Sequence, residues 1–161
     1  VDVSLKLPKL NLPNLPVKLK TEEGMDKIFD PVRKKWLKLT PEEWVRQSFL
    51  MYMHHVNLYP LSLVETEKQL NLFNTLKRAD IVFNDRTLTP RVIVECKAPH
   101  IKLNKEVFEQ VSRYYIALAA DILIVTNGME HFAFTVKDNK IQFLEDITTI
   151  YMIDTIYYDE N

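Results

Sequence analysis

The sequence predicts an α/β domain in three layers, with a mixed central sheet flanked by two helices. Two segments, around Asp80 and Glu95, are apolar on both faces apart from these charged residues, as in strands that are buried on both sides. Two other segments have the features of helices, and one of them falls between two strands, as in a right-handed crossover. The length of 161 residues, with 47% hydrophobic and 27% charged residues, suits one globular domain.

The first 38 residues are predicted to form an extended arm, and the folded domain is placed at residues 39–161. Three prolines among the first 20 residues interrupt regular strand pairing. A short strand or turn is expected within residues 25–38. The arm holds nine Lys or Arg against five acids, whereas residues 138–161 hold one Lys against six acids. Solvated chain segments explain this asymmetry at least as well as a binding role does.

The first helix, helix A, is predicted to begin at Thr40 and to run to about Val56. Thr40 can cap the helix, and Pro41 fits its first position because that residue needs no intrahelical N–H bond. Glu42 and Glu43 favour the positive end of the helix dipole. Glu43 also stands at the capping-box spacing from Thr40.

The strands are recognised by apolar runs or alternation between turn residues. Those that precede the second helix, helix B, are predicted at residues 63–70, 78–83 and 91–97. Helix B is predicted at residues 104–119. Those that follow it are predicted at residues 122–126, 132–136 and 141–144.

Several classes of protein are excluded or made improbable by what the sequence contains. The single cysteine, Cys96, rules out an internal disulfide and fits a reducing compartment. No apolar run reaches the roughly 18 residues that a membrane span needs, and no signal peptide is visible. There is also no G-x-x-x-x-G-K-[ST] phosphate loop. We therefore expect a cytoplasmic protein without membrane contact, and no motif predicts ATP binding.

Glu95 and Lys97 are charged residues in a strand that otherwise reads as buried. They are two residues apart, so their side chains project from the same face of the sheet. Burying such charges costs several kcal/mol per ion unless they are paired or bind something charged. Taken alone, the pair fits a structural ion pair and a functional site about equally well.

Asp80 shifts the balance towards a site. It lies in an apolar strand that can pair with the strand of Glu95, which would place two carboxylates side by side. Two such groups repel each other, and a divalent cation removes that penalty. Carboxylate oxygens suit Mg²⁺, and Lys97 would then stand beside the reacting water.

These residues resemble a known motif. The spacing D-x14-E-x-K, from Asp80 to Lys97, is the PD-(D/E)xK signature of restriction-endonuclease-like nucleases, with Ala79 where proline is frequent. The wider series TPEEWVRQ, RADIV, VIVECKAP, Q-x-x-x-Y and VTNG resembles the N-terminal nuclease domain of type I restriction enzyme R (HsdR) subunits. The resemblance extends from about Leu39 to Val136, and the Q-x-x-x-Y element also resembles RecB-type nucleases.

The resemblance implies a restriction-endonuclease-like sandwich and a magnesium site, with Mn²⁺ as a possible substitute. Asp80 and Glu95 would be ligands, together with the backbone carbonyl of Cys96. Lys97 would position the nucleophilic water and stabilise negative charge on the phosphate. An acid on helix A usually completes such a site, for which Glu43 is the first choice and Glu42 the near alternative.

Three further residues are candidates for contact with DNA. The resemblance implies that Gln110 and Tyr114, which share one face of helix B, hold the DNA strand or support the catalytic residues. Arg78 precedes the strand of Asp80, where it could equally well neutralise the acids or meet a phosphate.

The preferred interpretation is a Mg²⁺-dependent DNA nuclease. The alternatives are a DNA-binding module of the same fold with little activity, and a purely structural role for the three charged residues. DNA is the expected partner. The resemblance adds helicase or translocase subunits and methyltransferase or specificity subunits, and a homodimer is also open.

Overall fold

The structure, a computed structural model, describes residues 6–144, with all side chains except those of residues 72 and 114–117. The described residues form two sheets and two α-helices. The helices are α1 (Pro41–His55) and α2 (Lys105–Leu118). The smaller sheet contains β1 (Leu19–Glu22), β2 (Met25–Asp30) and β3 (Lys35–Lys38). The larger sheet contains β4 (Val64–Leu72), β5 (Thr75–Asn84), β6 (Pro90–Cys96), β7 (Ile122–Thr126), β8 (His131–Lys137) and β9 (Lys140–Phe143).

The smaller sheet differs from the extended arm predicted for residues 1–38. Residues 19–38 form three antiparallel strands in the order β1-β2-β3. Glu23 and Gly24, both with positive φ, make the tight turn that joins β1 to β2. In β2 the buried side chains alternate along the strand but include Asp26 and Asp30 beside Ile28. Acids at buried positions weaken the period-2 pattern, so the sequence indicated only a short strand or turn within residues 25–38 and not a three-stranded sheet.

The residues that precede the smaller sheet are extended and pack against the rest of the molecule. Leu10 is buried in the main core, and the amide of Asn11 donates to the carbonyl of Gly128 at 2.9 Å. The indole of Trp44 donates to the carbonyl of Pro8 at 3.0 Å. The first part of the predicted arm is therefore anchored to α1 and to the turn before β8.

The larger sheet has the order β4-β5-β6-β7-β8-β9 and is mixed. Strands β6 and β7 are parallel, with α2 between them along the chain, and the other neighbours are antiparallel. The predicted α/β class and mixed sheet are confirmed, and the predicted helices and the six strands of this sheet lie within a few residues of the observed ones. The three-layer restriction-endonuclease-like arrangement stays a prediction.

Alternate residues of β6 belong to two different apolar clusters, because successive side chains of a strand point to opposite faces of the sheet. Val94 and Cys96 belong to the cluster that contains Phe49 of α1. Ile93 belongs to the cluster that contains Val111 of α2. The C-terminal end of β6 is thus held by apolar packing on both faces of the sheet. This packing fixes the position of Glu95 between Val94 and Cys96.

The start of α1 follows the predicted capping only in part. The Thr40 hydroxyl accepts a hydrogen bond from the Glu43 amide at 3.1 Å, and Pro41 occupies the first turn. The Glu43 carboxylate, however, contacts Arg46 and Gln47. The predicted cap at Thr40 is confirmed, and the side chain of Glu43 is directed towards other polar groups of the helix.

The last part of the predicted domain, residues 145–161, lies outside the described residues, and with it most of the acidic segment. Within residues 6–144, neither helix has the length and apolar character required to cross a bilayer.

Candidate active site

Asp80 lies at the point where the pairing of β5 with β6 ends. The last pair in that direction is Ile81 with Val94, so Asp80 is one residue beyond it. Its Oδ2 accepts a hydrogen bond from the backbone amide of Cys96 at 2.7 Å, in the place of a backbone carbonyl. This bond directs the Asp80 carboxylate into the gap between the two strands and next to the end of β6.

Glu95 occupies the position on β6 that the register places opposite Asp80. Its side chain is buried, and Oε1 lies 3.4 Å from the ammonium of Lys97. The other oxygen, Oε2, is buried and accepts no hydrogen bond from any described group. The structure therefore brings Asp80, Glu95 and Lys97 together, as the sequence predicted, and leaves one carboxylate oxygen with unused lone pairs.

The two carboxyl groups have raised pKa values because they are buried beside each other. Burial raises the pKa of Glu95 to about 8, the negative charge of the neighbouring Asp80 also raises it, and Lys97 acts in the opposite direction. Burial likewise raises the pKa of Asp80 to about 6, although Arg46 and the Cys96 amide favour its charged form. Without a cation, the pair therefore holds a proton at neutral pH.

Arg46 is a residue of the site that the sequence reasoning missed. Its guanidinium is buried and lies 2.8 Å from Asp80 Oδ1. Burial lowers the pKa of Arg46, whereas the negative charges of Asp80 and, to a lesser extent, Glu43 raise it. The net result is a pKa above the usual value for arginine. Its spacing of three residues from Glu43 on a helix that begins with acids was the available signal.

Both acids at the start of helix A, which is α1, contact Arg46. Oε1 of Glu43 is 2.7 Å from Arg46, whereas Glu42 is 3.5 Å away and nearly half exposed. Burial raises the pKa of Glu43. Glu67 of β4 also contacts Arg46, at 2.6 Å. Glu43 thus makes the shorter and more buried contact with Arg46, whereas Glu42 makes a longer one to Nη2, the nitrogen that also contacts Asp80.

The candidate DNA-contacting residues lie at the edge of this arrangement or away from it. Arg78 is largely exposed and is 3.6 Å from Glu67, so it touches the acidic group while facing solvent. Gln110 is exposed on α2. Tyr114 lies on the same helix, but its side chain is outside what the structure describes. The contact of these three residues with DNA stays a prediction.

The donor set fits a small divalent cation. Two carboxyl groups stand side by side, and the peptide that follows Cys96 lies next to them, with the Lys97 amide bonded to the Thr126 carbonyl at 2.8 Å. Each carboxylate oxygen has two lone pairs, so the hydrogen bonds of Asp80 leave it able to coordinate. In residues 6–144 no group of three His, Cys, Asp or Glu side chains forms a metal cluster. A cation here would accordingly need the backbone carbonyl and water as further ligands.

A cavity of about 380 Å³ lies elsewhere, beneath the extended N-terminal residues. Leu10, Leu15, Trp44 and Ser48 are among the residues that line it. Neither Asp80 nor Glu95 lines this cavity.

One family model supports the resemblance to type I restriction enzyme R subunits. The family model described as "Type I restriction enzyme R protein N terminus" matches residues 41–148. A solved fragment of a putative HsdR subunit of a type I restriction enzyme from Vibrio vulnificus YJ016 is 20% identical, with a TM-score of 0.44. That match covers 60% of this chain and 21% of the fragment, so the chain spans about a fifth of it. No curated protein sequence matches significantly.

Proposed function

The chain belongs to the family of type I restriction enzyme R protein N termini, and on that basis we propose that it is a Mg²⁺-dependent DNA nuclease domain. The proposal extends to the finer fold, a restriction-endonuclease-like three-layer sandwich. The observation that supports the nuclease proposal is the buried pair of Asp80 and Glu95. In this pair, Oε2 of Glu95 accepts no hydrogen bond from a described group. A structural pair would be expected to fill those lone pairs with donors.

Asp80, Glu95 and the carbonyl of Cys96 would hold the cation. Mg²⁺, or Mn²⁺ in its place, supplies positive charge that stabilises the phosphate as it gains negative charge. The Asp80 carboxylate is kept in place by the Cys96 amide and by Arg46, so binding requires little rearrangement. Preorganised ligands of this kind lower the cost of ordering the site.

Lys97 is the residue assigned to the reacting water and the phosphate. Its ammonium, 3.4 Å from Glu95 and partly exposed, can reach a group held above the carboxylates. In hydrolysis a water oxygen bonds to phosphorus as the P–O bond to the leaving sugar oxygen breaks. Lys97 would orient that water and balance the charge on the phosphate. Glu43 supports the site through its contact with Arg46.

Gln110, Tyr114 and Arg78 are assigned to the DNA strand. Gln110 and Tyr114 share one face of α2, which follows the strand of Glu95 along the chain. Arg78 projects into solvent from the β4–β5 hairpin next to Glu67. Such residues would position the backbone of the nucleic acid and carry no sequence information themselves.

The test is cleavage of supercoiled plasmid DNA by the full chain. We expect nicked or linear product with Mg²⁺ and none with EDTA. Lys97→Ala should lower the rate at least 100-fold, because a charge that acts on the transition state is lost. The matched control is Lys140→Ala, an exposed lysine at the start of β9, which should cleave like the wild type. Equal rates for wild type and Lys97→Ala would refute the assignment.

A second candidate is a DNA-binding module that cuts little by itself. The contacts of Arg46 favour it, since this guanidinium already neutralises Asp80, Glu43 and Glu67. Such a module would work with translocase, methyltransferase or specificity subunits, or as a homodimer that cuts both strands. Retained binding of duplex DNA without cleavage under any divalent cation would favour this second candidate.

A further inference from the structure

The hairpin of β4 and β5 extends beyond the rest of the larger sheet. The pairing of β5 with β6 begins at Ile81, whereas its pairing with β4 begins at Thr75. Residues 69–78 therefore form a ribbon of two strands, which we call the outer hairpin, and no third strand among the described residues pairs with it. Asn74, in its turn, lies six residues before Asp80, which corresponds to about 20 Å of extended chain.

The outer hairpin has one face against α2 and one face in solvent. Leu70 packs in the cluster that contains Val111 of α2. The residues on either side of Leu70 point the other way, because side chains alternate along a strand. That other face, which we call the outer face, carries four exposed side chains from two cross-strand pairs: Gln69 with Arg78, and Asn71 with Leu76. The exposed fraction of Leu76 is 72%, so this face is not part of the core.

The outer face begins beside the carboxylate site. Arg78 is 3.6 Å from Glu67, and Glu67 is 2.6 Å from Arg46. Arg46 in turn is 2.8 Å from Asp80. A duplex with one phosphate at Asp80 would therefore meet the outer hairpin within its next helical turn, since a turn is about 34 Å long.

The side chains of the outer hairpin have the chemistry of a DNA contact. Residues 69–78 contain Lys77 and Arg78 but no Asp or Glu, so their charge complements the phosphates. The amides of Gln69 and Asn71 can bond to base edges, as can a guanidinium, and an apolar side chain can meet the methyl group of thymine. A ribbon of two strands also fits the major groove, which is about 12 Å wide.

We propose that the outer hairpin binds duplex DNA, with its outer face in the major groove next to the phosphate that is cleaved. The inference deepens the proposed function and rests on it, because DNA is taken to be the partner. The outer hairpin positions the duplex and takes no part in the chemistry. Its contribution is therefore to affinity, and it acts without a metal ion.

The experiment measures binding of a fluorescent duplex of roughly three helical turns to the full chain. Fluorescence anisotropy is recorded at low salt, about 50 mM, and in EDTA so that no cleavage occurs. The variant Asn71→Asp with Leu76→Asp places two acids on the outer face. It should bind about tenfold more weakly or worse, because the acids repel the phosphates. Gln69→Glu, a smaller change on the same face, should weaken binding in the same direction.

The matched control adds the same charge elsewhere. Leu58→Asp with Leu88→Asp replaces two exposed leucines that lie outside the outer hairpin, and it should bind within about twofold of the wild type. Circular dichroism should give similar melting temperatures for all these variants, since the replaced side chains are exposed.

The outcomes separate this inference from the proposed function. Equal duplex affinity of the wild type and both outer-face variants would overturn the inference and leave the nuclease proposal intact. Unchanged duplex binding with a loss of self-association in ultracentrifugation would also overturn it, since the face would then contact a second copy of the chain. Weaker duplex binding by the outer-face variants, with no plasmid cleavage by the wild type in Mg²⁺, would support the inference and refute the nuclease proposal.

Discussion

Two buried carboxyl groups in this molecule differ in the number of hydrogen-bond donors around them and in the direction of their pKa shifts. Asp30, at the end of β2, is fully buried and accepts hydrogen bonds from the amides of Val32 and Arg33, the Arg33 guanidinium and the Thr66 hydroxyl. Burial alone would raise its pKa, but these bonds from Arg33 and Thr66 leave it lower than usual. Glu95 is buried to a similar degree, yet its pKa is raised and Oε2 has no donor among the described groups.

The difference shows how a structural carboxylate can be distinguished from a functional one. At Asp30 the protein supplies enough donors to hold the negative charge, and the group joins the smaller sheet to β4 through Thr66. At Glu95 the protein places a second acid, Asp80, beside the first and supplies too few donors. A buried carboxyl group with too few donors takes up a proton or binds a cation, and we propose the cation for Glu95.

The largest effect that we expect from this comparison concerns stability. Asp30→Ala should lower the free energy of unfolding by roughly 1–3 kcal/mol, because the amides of Val32 and Arg33 and the half-buried Arg33 guanidinium would lose their acceptor. Glu95→Gln should instead stabilise the metal-free protein at pH 8, by about 1 kcal/mol or more, because a poorly satisfied carboxylate is removed. Urea denaturation in EDTA measures both changes. A large loss of stability in Glu95→Gln would show that Glu95 is structural after all.

A second effect should appear in the pH dependence of stability. Glu95 has a folded pKa of about 8 against an ordinary 4.5, so the unfolded state loses its proton first as the pH rises. Stability from this group is therefore highest below about pH 4.5 and falls until about pH 8. The lowered pKa of Asp30 has the reverse consequence, with stability present above its ordinary 3.8 and lost as the pH falls below it.

This pH effect is measured as the difference between wild type and Glu95→Gln in EDTA at pH 5, 6.5 and 8. The difference should grow with pH in favour of the variant. Taking the difference cancels His131, whose pKa is lowered by burial and which acts in the opposite direction. A difference that is constant across this range would contradict the raised pKa of Glu95.

Much of the architecture could be predicted from the sequence because local signals were strong. The cap at Thr40 and the apolar run of β6 fix α1 and the centre of the larger sheet. The D-x14-E-x-K spacing also places Asp80 and Glu95 correctly, since a hairpin brings residues of such spacing into register. These features depend on residues close in sequence.

The remaining features depend on contacts between residues that are distant in sequence. Arg46 meets Asp80 across 34 positions and Thr66 meets Asp30 across 36, and no periodic pattern records such pairs. The smaller sheet was missed for a related reason. Asp30 occupies a position that reads as solvent-exposed until Arg33 and Thr66 are known to surround it.

We propose that a divalent cation completes the pair of Asp80 and Glu95. The most direct measurement is calorimetric titration of the full chain with Mg²⁺ at pH 8, for the wild type, Glu95→Gln and the control Glu65→Gln. Glu65 lies in the same sheet but is satisfied by Lys68 and Asn84. We predict saturable binding to the wild type and to Glu65→Gln, and at least tenfold weaker binding to Glu95→Gln. Equal binding to all three proteins, or binding to none, would contradict the account.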